Sequence, residues 1–175
     1  TAAKDDKIRV IVLTGAGKGF CSGDDVKEIF LSPEQAATRS REARLRHLQG
    51  EHIPGGAYKL LEINKPSIAA VNGPAVGYGC DIALMCNMRV ASEKARFGEV
   101  FLRRGLIPDQ GMILLPRLVG LAKTYEMILT TDIIDAREAE RIGLVNKVVP
   151  HENLMNATLE LANKIASKPP IAVQL

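Results

Sequence analysis

Two aspartates are the residues of this sequence best placed to do chemistry. Asp81 stands in "GPAVGYGCDIALMCN", where it follows two glycines and a tyrosine and opens an apolar helical segment. Asp109 follows 28 residues later, in "GLIPDQG". Asp81 can cap a helix start or move a proton on a substrate, and Asp109 can be a turn residue, a helix N-cap before Gly111, or a proton carrier. Two carboxylates in one dry pocket would raise one pKa, giving an acid and a base from the same residue type.

Two glycine-rich loops, at 15–24 and 73–79, are the second chemical feature. The first is not a nucleotide-binding loop, because a GxGxxG pattern beginning at Gly15 puts Phe20 at the third glycine. The P-loop pattern GxxxxGK[ST] has no match in the chain either. Tight turning explains such glycines, but so does close approach to a ligand. Two such segments can aim two backbone N–H groups at one carbonyl oxygen, which makes an oxyanion hole.

Strands and helices alternate along the chain. The patterns predict strands at 8–15, 67–73, 88–92 and 143–149, mostly helix from Met112 onward, and an amphipathic helix at 151–168. This alternation favours an α/β fold with a largely parallel sheet. Ligands of such sheets gather where loops leave the carboxyl ends of strands. Both glycine-rich loops follow strands, so we expect them to form two walls of one site.

Composition narrows the function classes. The chain has 175 residues, 46% hydrophobic and 25% charged, with a formal net charge of +3, which is ordinary for one globular domain. Neither nucleic acid nor a membrane is therefore expected as a partner. The three cysteines show no CxxC spacing, so buried thiols in a reducing compartment, the cytoplasm or the mitochondrial matrix, are expected. No metal site is expected from His47, His52 and His151, which have no ligand spacing.

Three long motifs identify a family resemblance. These are "VIVLTGAGKGFCSGDDVKE", "NKPSIAAVNGPAVGYGCDIALMCNMRVASEKARFGE" and "IPDQGMILLPRLVGLAKTYEMILTTDIIDAREAERIGLVNKVVP". They resemble the crotonase (enoyl-CoA hydratase/isomerase) superfamily in register from Lys7 to Pro150. The resemblance implies a crotonase-like ββα spiral core at 1–150 and the start of a C-terminal helical region at 151–175. Relatives normally begin with a further hairpin and continue with more helix, so we expect this chain to lack both.

The resemblance also implies a substrate and its binding residues. The substrate is an acyl-CoA thioester, the assembly is a homotrimer or hexamer, and no separate cofactor is needed because coenzyme A is part of the substrate. The oxyanion hole falls on the backbone N–H groups of Asp24 and Tyr78, where the family usually has a small residue and a glycine. Coenzyme A and substrate contacts fall on Ser22, Gly23, Asp24, Val26, Lys27, Gly77 and Phe101.

The resemblance does not decide which carboxyl groups act as the catalytic acid and base. Hydratases of the family use two glutamates, at the positions of Asp81 and Phe101, so the second is absent here. Glu99, two residues back on what reads as an extended segment, should point similarly but sit several Å away. Asp109 occupies a third position that can carry the acid, and it is our first candidate for the proton shuttle.

Four functions follow from these residues. Double-bond isomerisation needs one shuttling acid and is favoured mechanistically, with hydration by Asp81 and Asp109 close behind. An acyl-CoA hydrolase is a third possibility. A non-catalytic or RNA-binding protein is the alternative from another class. The alternative is supported by Phe101, which replaces a catalytic glutamate, and by the arginines of "RSREARLRH", which could bind RNA. If they do not, these arginines form a solvated helix face. They are Arg39, Arg41, Arg44 and Arg46.

Overall fold

The computed structural model describes residues 2–23 and 60–173. Its strands, numbered in chain order, are β1 (Ile11–Thr14), β2 (Ser67–Val71), β3 (Pro74–Val76), β4 (Met88–Ser92), β5 (Arg96–Gly98), β6 (Ile134–Asp135) and β7 (Lys147–Val149). Strands β1, β2, β4 and β7 form a parallel sheet in that spatial order. The expected parallel sheet is confirmed, with strands somewhat shorter than predicted at 8–15, 67–73 and 143–149 and matching at 88–92.

A second, three-stranded sheet has the order β3-β5-β6 and was not predicted. Strand β3 pairs with β5 in parallel, and β5 pairs with β6 in an antiparallel manner. All three strands have three residues or fewer, which is too short for an alternation of polar and apolar residues to stand out. This small sheet places the chain after Gly98 beside the loop at Gly77.

The parallel sheet is buried on both faces, which explains why β2 reads as a continuous apolar run. On one face Ala69 and Val71 belong to a core that also contains buried residues of the helices that precede β7 in the chain. On the other face Ile68 and Ala70 pack in a separate core with Leu154. Successive side chains of a strand point to opposite faces, so the SIAAV sequence supplies both cores.

In the described part of the chain, four α-helices pack around the sheets. They are α1 (Tyr78–Met85), α2 (Gly111–Thr130), α3 (Ala136–Arg141) and α4 (Leu154–Ala166). Helix α2 is interrupted at Gly120, whose φ of 77° and ψ of 164° are not helical. Helix α4 follows a 3₁₀ turn at His151–Asn153, so the helix predicted at 151–168 is confirmed in its central part. None of the helices among the described residues is long and apolar enough to cross a bilayer.

Buried Arg89 fixes the C-terminal end of α1. Its Nη1 donates to the Cys86 carbonyl oxygen at 2.7 Å, and its Nε donates to the Leu144 carbonyl oxygen at 2.7 Å. Carbonyl groups at a helix end lack partners within the helix, and a cation is favoured there by the helix dipole. Arg89 therefore holds α1 against the segment before β7, which leaves the other end of α1 to face the glycine-rich loops.

Candidate functional site

The two glycine-rich loops are in direct contact. Cys21 forms a parallel bridge with Ala75, and the Val76 N–H donates to the Cys21 carbonyl oxygen at 3.1 Å. A Cβ atom at Gly79 would lie 2.0 Å from that same oxygen, so only glycine permits this approach. The segments predicted as two walls of one site therefore meet at the start of α1.

Asn72 holds the first loop in shape from the end of β2. Its Oδ1 accepts the Gly15 N–H at 3.1 Å, and its Nδ2 donates to the carbonyl oxygens of Gly17 and Gly19 at 3.0 and 3.1 Å. One buried amide thus satisfies three backbone groups of a loop that has no regular structure. The loop is fixed before any ligand binds.

Gly77 and Gly23 bring the loop backbones close to the first turn of α1. Gly77, the N-cap, has a φ of 55°, and its N–H donates to the Gly98 carbonyl oxygen at 2.9 Å. Gly23 has a φ of 85°, and a Cβ atom there would lie 3.2 Å from the backbone nitrogen of Tyr78. The residue that precedes Asp24 therefore packs on the residue expected to supply the second oxyanion donor.

Part of the expected coenzyme A segment can be placed. Ser22 is exposed and Gly23 is partly buried, directly before the start of α1 in space. Asp24, Val26 and Lys27 lie outside the described residues, as do the arginines of "RSREARLRH". Phe101 is partly buried and begins a 3₁₀ helix, Phe101–Arg104.

Asp81 is fully buried near the first turn of α1, yet it does not cap that helix. The Gly77 N-cap of α1 has no side-chain cap hydrogen bond. Instead, Oδ2 of Asp81 accepts the Gln110 N–H at 3.2 Å, across the site at the start of α2. Its Oδ1 is buried and has no hydrogen-bond partner among the described residues. The carboxyl group thus keeps one oxygen available inside the site.

Burial raises the pKa of Asp81 to about 7. The backbone N–H groups of Gly111 and Gln110 act in the opposite direction because they stabilise the anion, and the charge of Asp109 raises the pKa further. A carboxyl group with such a pKa exchanges protons near neutral pH, which suits general acid and base catalysis.

Glu99 is the functional candidate that the sequence reasoning set aside. It is fully buried at 0% exposure, and neither carboxyl oxygen has a hydrogen-bond partner among the described residues. The expected extended run from Glu99 to Phe101 is wrong, because β5 ends at Gly98 and the 3₁₀ helix begins at Phe101. Glu99 is fully buried, whereas Phe101 is only partly buried. The alternation from buried Phe97 to Glu99 was the available signal.

The surroundings of Glu99 favour its protonated form. Burial raises its pKa to about 8, and the nearby charges of Asp81 and Asp109 contribute in the same direction. The Cys80 thiol interacts with the carboxyl group and lowers this pKa, although neither oxygen meets hydrogen-bond geometry. A Cβ atom at Gly111 would lie 2.7 Å from the carboxyl carbon of Glu99. Glu99 therefore packs directly against the first residue of α2.

Asp109 lies at the edge of the same cluster and is exposed. It sits in a bend between Pro108 and α2, and the N-cap position of α2 is Gln110 rather than Asp109. Its charge acts on both Asp81 and Glu99. The structure thus brings the two aspartates singled out in the sequence together, one inside the protein and one at its surface.

The cysteines and clefts contribute no second site. Cys21, Cys80 and Cys86 are free, and Cys80 and Cys86 are buried, as predicted. No group of three or more metal-ligating side chains occurs in the described part of the chain. One open cleft, of about 320 Å³, is lined by residues that include Arg9 and Lys65. A second, of about 290 Å³, is lined by residues that include Lys147 and Lys164. Neither cleft is lined by Asp81, Glu99 or Asp109.

Comparison with known proteins gives one consistent family. The family described as Enoyl-CoA hydratase/isomerase matches residues 1–175. A "Short-chain-enoyl-CoA hydratase" from Clostridium acetobutylicum is 42% identical over 174 residues, which cover 98% of this chain and 63% of that protein. A crystal structure of an enoyl-CoA hydratase from Bacillus anthracis matches with a TM-score of 0.83 and 37% identity, covering 98% of this chain and 64% of that one.

A related structure carries a different activity in its name. The monofunctional enoyl-CoA isomerase from M. smegmatis matches with a TM-score of 0.74 and 32% identity, over 98% of this chain and 69% of that chain. The chain spans slightly less than two thirds of the length of the first relatives it matches, with 63% of the C. acetobutylicum protein covered. The similarity therefore extends over the whole of this chain and over part of those proteins.

Proposed function

This chain belongs to the enoyl-CoA hydratase/isomerase family, and from that premise we propose that the protein hydrates the 2,3 double bond of an enoyl-CoA thioester. The observation that carries the proposal is the carboxyl group of Asp81. It is buried beside the helix start at Tyr78, with one oxygen held by Gln110 and the other without a partner in the described chain. A proton carrier so placed lies next to the backbone that would bind the thioester.

The oxyanion hole of this proposal consists of the backbone N–H groups of Asp24 and Tyr78. Addition of water to an enoyl thioester builds negative charge on the thioester oxygen, and fixed N–H donors stabilise that charge. The close packing of Gly23 on the backbone of Tyr78 supports this geometry, since Asp24 follows Gly23 directly. Ser22, Gly23, Val26 and Lys27 then bind coenzyme A, and Gly77 and Phe101 border the acyl group.

Asp81 and Asp109 move the protons in this proposal. As the water oxygen bonds to carbon 3, a carboxylate takes one proton from the water. The electrons of the double bond move toward the thioester oxygen, and carbon 2 then takes a proton from the same carboxyl pair. Asp109 is exposed at the edge of the site, whereas Asp81 is buried with a pKa near neutrality. Because the pair gains and gives one proton, it ends each cycle unchanged.

Isomerisation of the double bond is the second candidate, and the residue at position 101 favours it. An aromatic ring stands where hydratases of the family carry their second glutamate, and a ring cannot activate water. Isomerisation needs only one carboxylate, which removes a proton from one carbon and returns it two carbons away. A named enoyl-CoA isomerase is also among the similar structures.

We further propose that the protein assembles as a homotrimer or hexamer and works in the cytoplasm or the mitochondrial matrix. Its three free thiols are consistent with a reducing compartment. A relative from Dictyostelium discoideum, 37% identical over 173 residues, is named as a mitochondrial enoyl-CoA hydratase.

Mass spectrometry in D₂O separates the two reactions. The protein is incubated with 2-enoyl, 3-enoyl and dienoyl-CoA thioesters. Hydration adds one molecule of D₂O, whereas isomerisation moves the double bond and exchanges deuterium with no added water. We expect hydration, and Asp109→Asn should lower it by roughly 10²- to 10⁴-fold, while Asp132→Asn, in an exposed connecting segment, should not. No turnover across the panel would overturn the proposal.

A further inference from the structure

The proposed reaction makes no use of Glu99, although Glu99 is buried as completely as Asp81. Its side chain has 0% exposure, and both oxygens lack hydrogen-bond partners within the described chain. A buried charge without a counter-ion is strongly unfavourable, so the group is stable there as the neutral acid. A neutral buried acid that no protein group satisfies indicates a function other than packing.

Glu99 and Asp81 reach the same point of the fold from different elements. Glu99 follows β5 and packs on Gly111, where a Cβ atom would lie 2.7 Å from its carboxyl carbon. Asp81 projects from α1 and accepts the N–H of Gln110, the residue before Gly111. Both carboxyl groups therefore meet the N-terminus of α2, a 20-residue element. The helix dipole and N–H groups at this end favour one negative charge.

The groups that face Glu99 are acidic, and no cation balances them in the described part of the chain. Asp81 and the Cys80 thiol face it from α1, and Asp109 acts on it from the segment before α2. Among the described residues, no lysine or arginine is near enough to lower the pKa of Glu99. Arg89, on β4 just after α1, donates to the carbonyl groups at the far end of that helix. Two carboxylates without a cation retain one proton between them.

We propose that Asp81 and Glu99 form a carboxyl pair that holds a single proton at neutral pH, with Glu99 as the positioning residue. This inference rests on the proposed function, in which Asp81 moves protons beside the thioester. Protonated Glu99 acts through Asp81: it keeps a single negative charge at the start of α2. When the pair loses its last proton, a second negative charge opposes the charge that develops on the thioester oxygen, and the reaction slows.

Carbon NMR of the carboxyl groups tests the pair without any substrate. Protein labelled with ¹³C at the glutamate and aspartate carboxyls is titrated, and we expect one glutamate signal with a pKa of about 8. The signal should be absent from Glu99→Gln. Gly111→Ala, which places a methyl group against the same carboxyl, should shift it and serves as the assignment if Glu99→Gln does not fold. A spectrum in which every glutamate titrates below about pH 6 overturns the pair.

The pH dependence of kcat/KM tests the positioning role. Above the last pKa of the pair, the wild-type value should fall about tenfold per pH unit. Glu99→Gln cannot acquire the second charge, so its value should stay within about twofold between pH 8 and pH 9. Glu93→Gln, exposed six residues earlier, is the matched control and should keep the wild-type fall. A fall that persists in Glu99→Gln means that Glu99 is only structural. Absence of turnover defeats the proposed function alone, because the carbon signal still decides the pair.

Discussion

Glu99 and Glu138 have the same side chain in opposite surroundings. Glu138 lies on α3 at the surface, where Arg141 contacts it with two nitrogens at 2.6 and 2.8 Å and Lys123 lies at 3.0 Å. These cations lower the pKa of Glu138 to about 2. Glu99 is enclosed next to Asp81, and its pKa is raised to about 8. The same carboxyl group is thus a permanent anion in one region and a neutral acid in the other.

The difference shows where chemistry is possible in this molecule. A carboxylate paired with two cations stays ionised at all physiological pH values and cannot exchange protons. Carboxyl groups that share a buried space without a cation titrate near neutrality, and such shifts concentrate at functional sites. The cluster on α3 accordingly stabilises the surface of that helix, and the cluster at Asp81 and Glu99 is where we propose that protons move.

Replacement of Asp81 should produce the largest effect. Asp81→Asn keeps the shape of the side chain but removes the proton carrier, so kcat/KM on an enoyl-CoA thioester should fall by roughly 10²- to 10⁴-fold. Steady-state kinetics with the matched control Asp132→Asn, in an exposed connecting segment, measures this loss. Activity within a few-fold of wild type would remove Asp81 from the mechanism.

The two regions should also contribute to the stability of the folded protein with opposite pH dependence. Because the pKa values of Asp81 and Glu99 are raised to about 7 and about 8 on folding, the folded protein binds more protons than the unfolded chain between about pH 4 and pH 8. The stability that these groups contribute is complete at the acidic end and is lost as pH rises through 7 to 8. Glu138 has the opposite sign, and its contribution is lost as pH falls toward about 2.

Urea unfolding between pH 5 and pH 9 measures this difference. In the wild type, the free energy of unfolding should decrease as pH rises over this range. In Glu99→Gln this decrease should be less steep by up to about 1.4 kcal/mol per pH unit, the value for one proton. Glu93→Gln should leave the slope unchanged. An identical slope in Glu99→Gln and wild type would show that Glu99 ionises normally in the folded protein.

Replacement of Glu138 should produce the smallest effect. Glu138→Gln removes the ion pairs with Arg141 and Lys123, which lie at the surface and are screened by salt. The thermal midpoint at low salt should fall slightly relative to Glu160→Gln, an exposed glutamate on α4. In about 1 M salt, where the Debye length is about 3 Å, the difference should vanish. A large or salt-independent loss would contradict the contrast with Glu99.

Much of the fold follows from local pattern. The β-branched and apolar runs that predicted 67–73 and 88–92 became the two central strands, because strands buried on both faces need continuous apolar sequence. The short strands β3, β5 and β6 did not follow, since two or three residues carry no detectable period. The amphipathic pattern at 151–168 was correct because α4 buries only one face against the sheet.

For the candidate site, the sequence indicated most of the residues that we propose to carry the chemistry, although not Glu99. The glycines that allow the two loops to meet and the carboxyl groups Asp81 and Asp109 were visible from residue type, spacing and family resemblance. Only the tertiary structure decided how these carboxyl groups are placed relative to one another. The Asp81 side chain bonds to the start of α2 and leaves its own helix uncapped, and Glu99 joins it where Gly111 leaves room. Burial and distance between elements set the pKa of each group, and neither is encoded in the spacing along one chain segment.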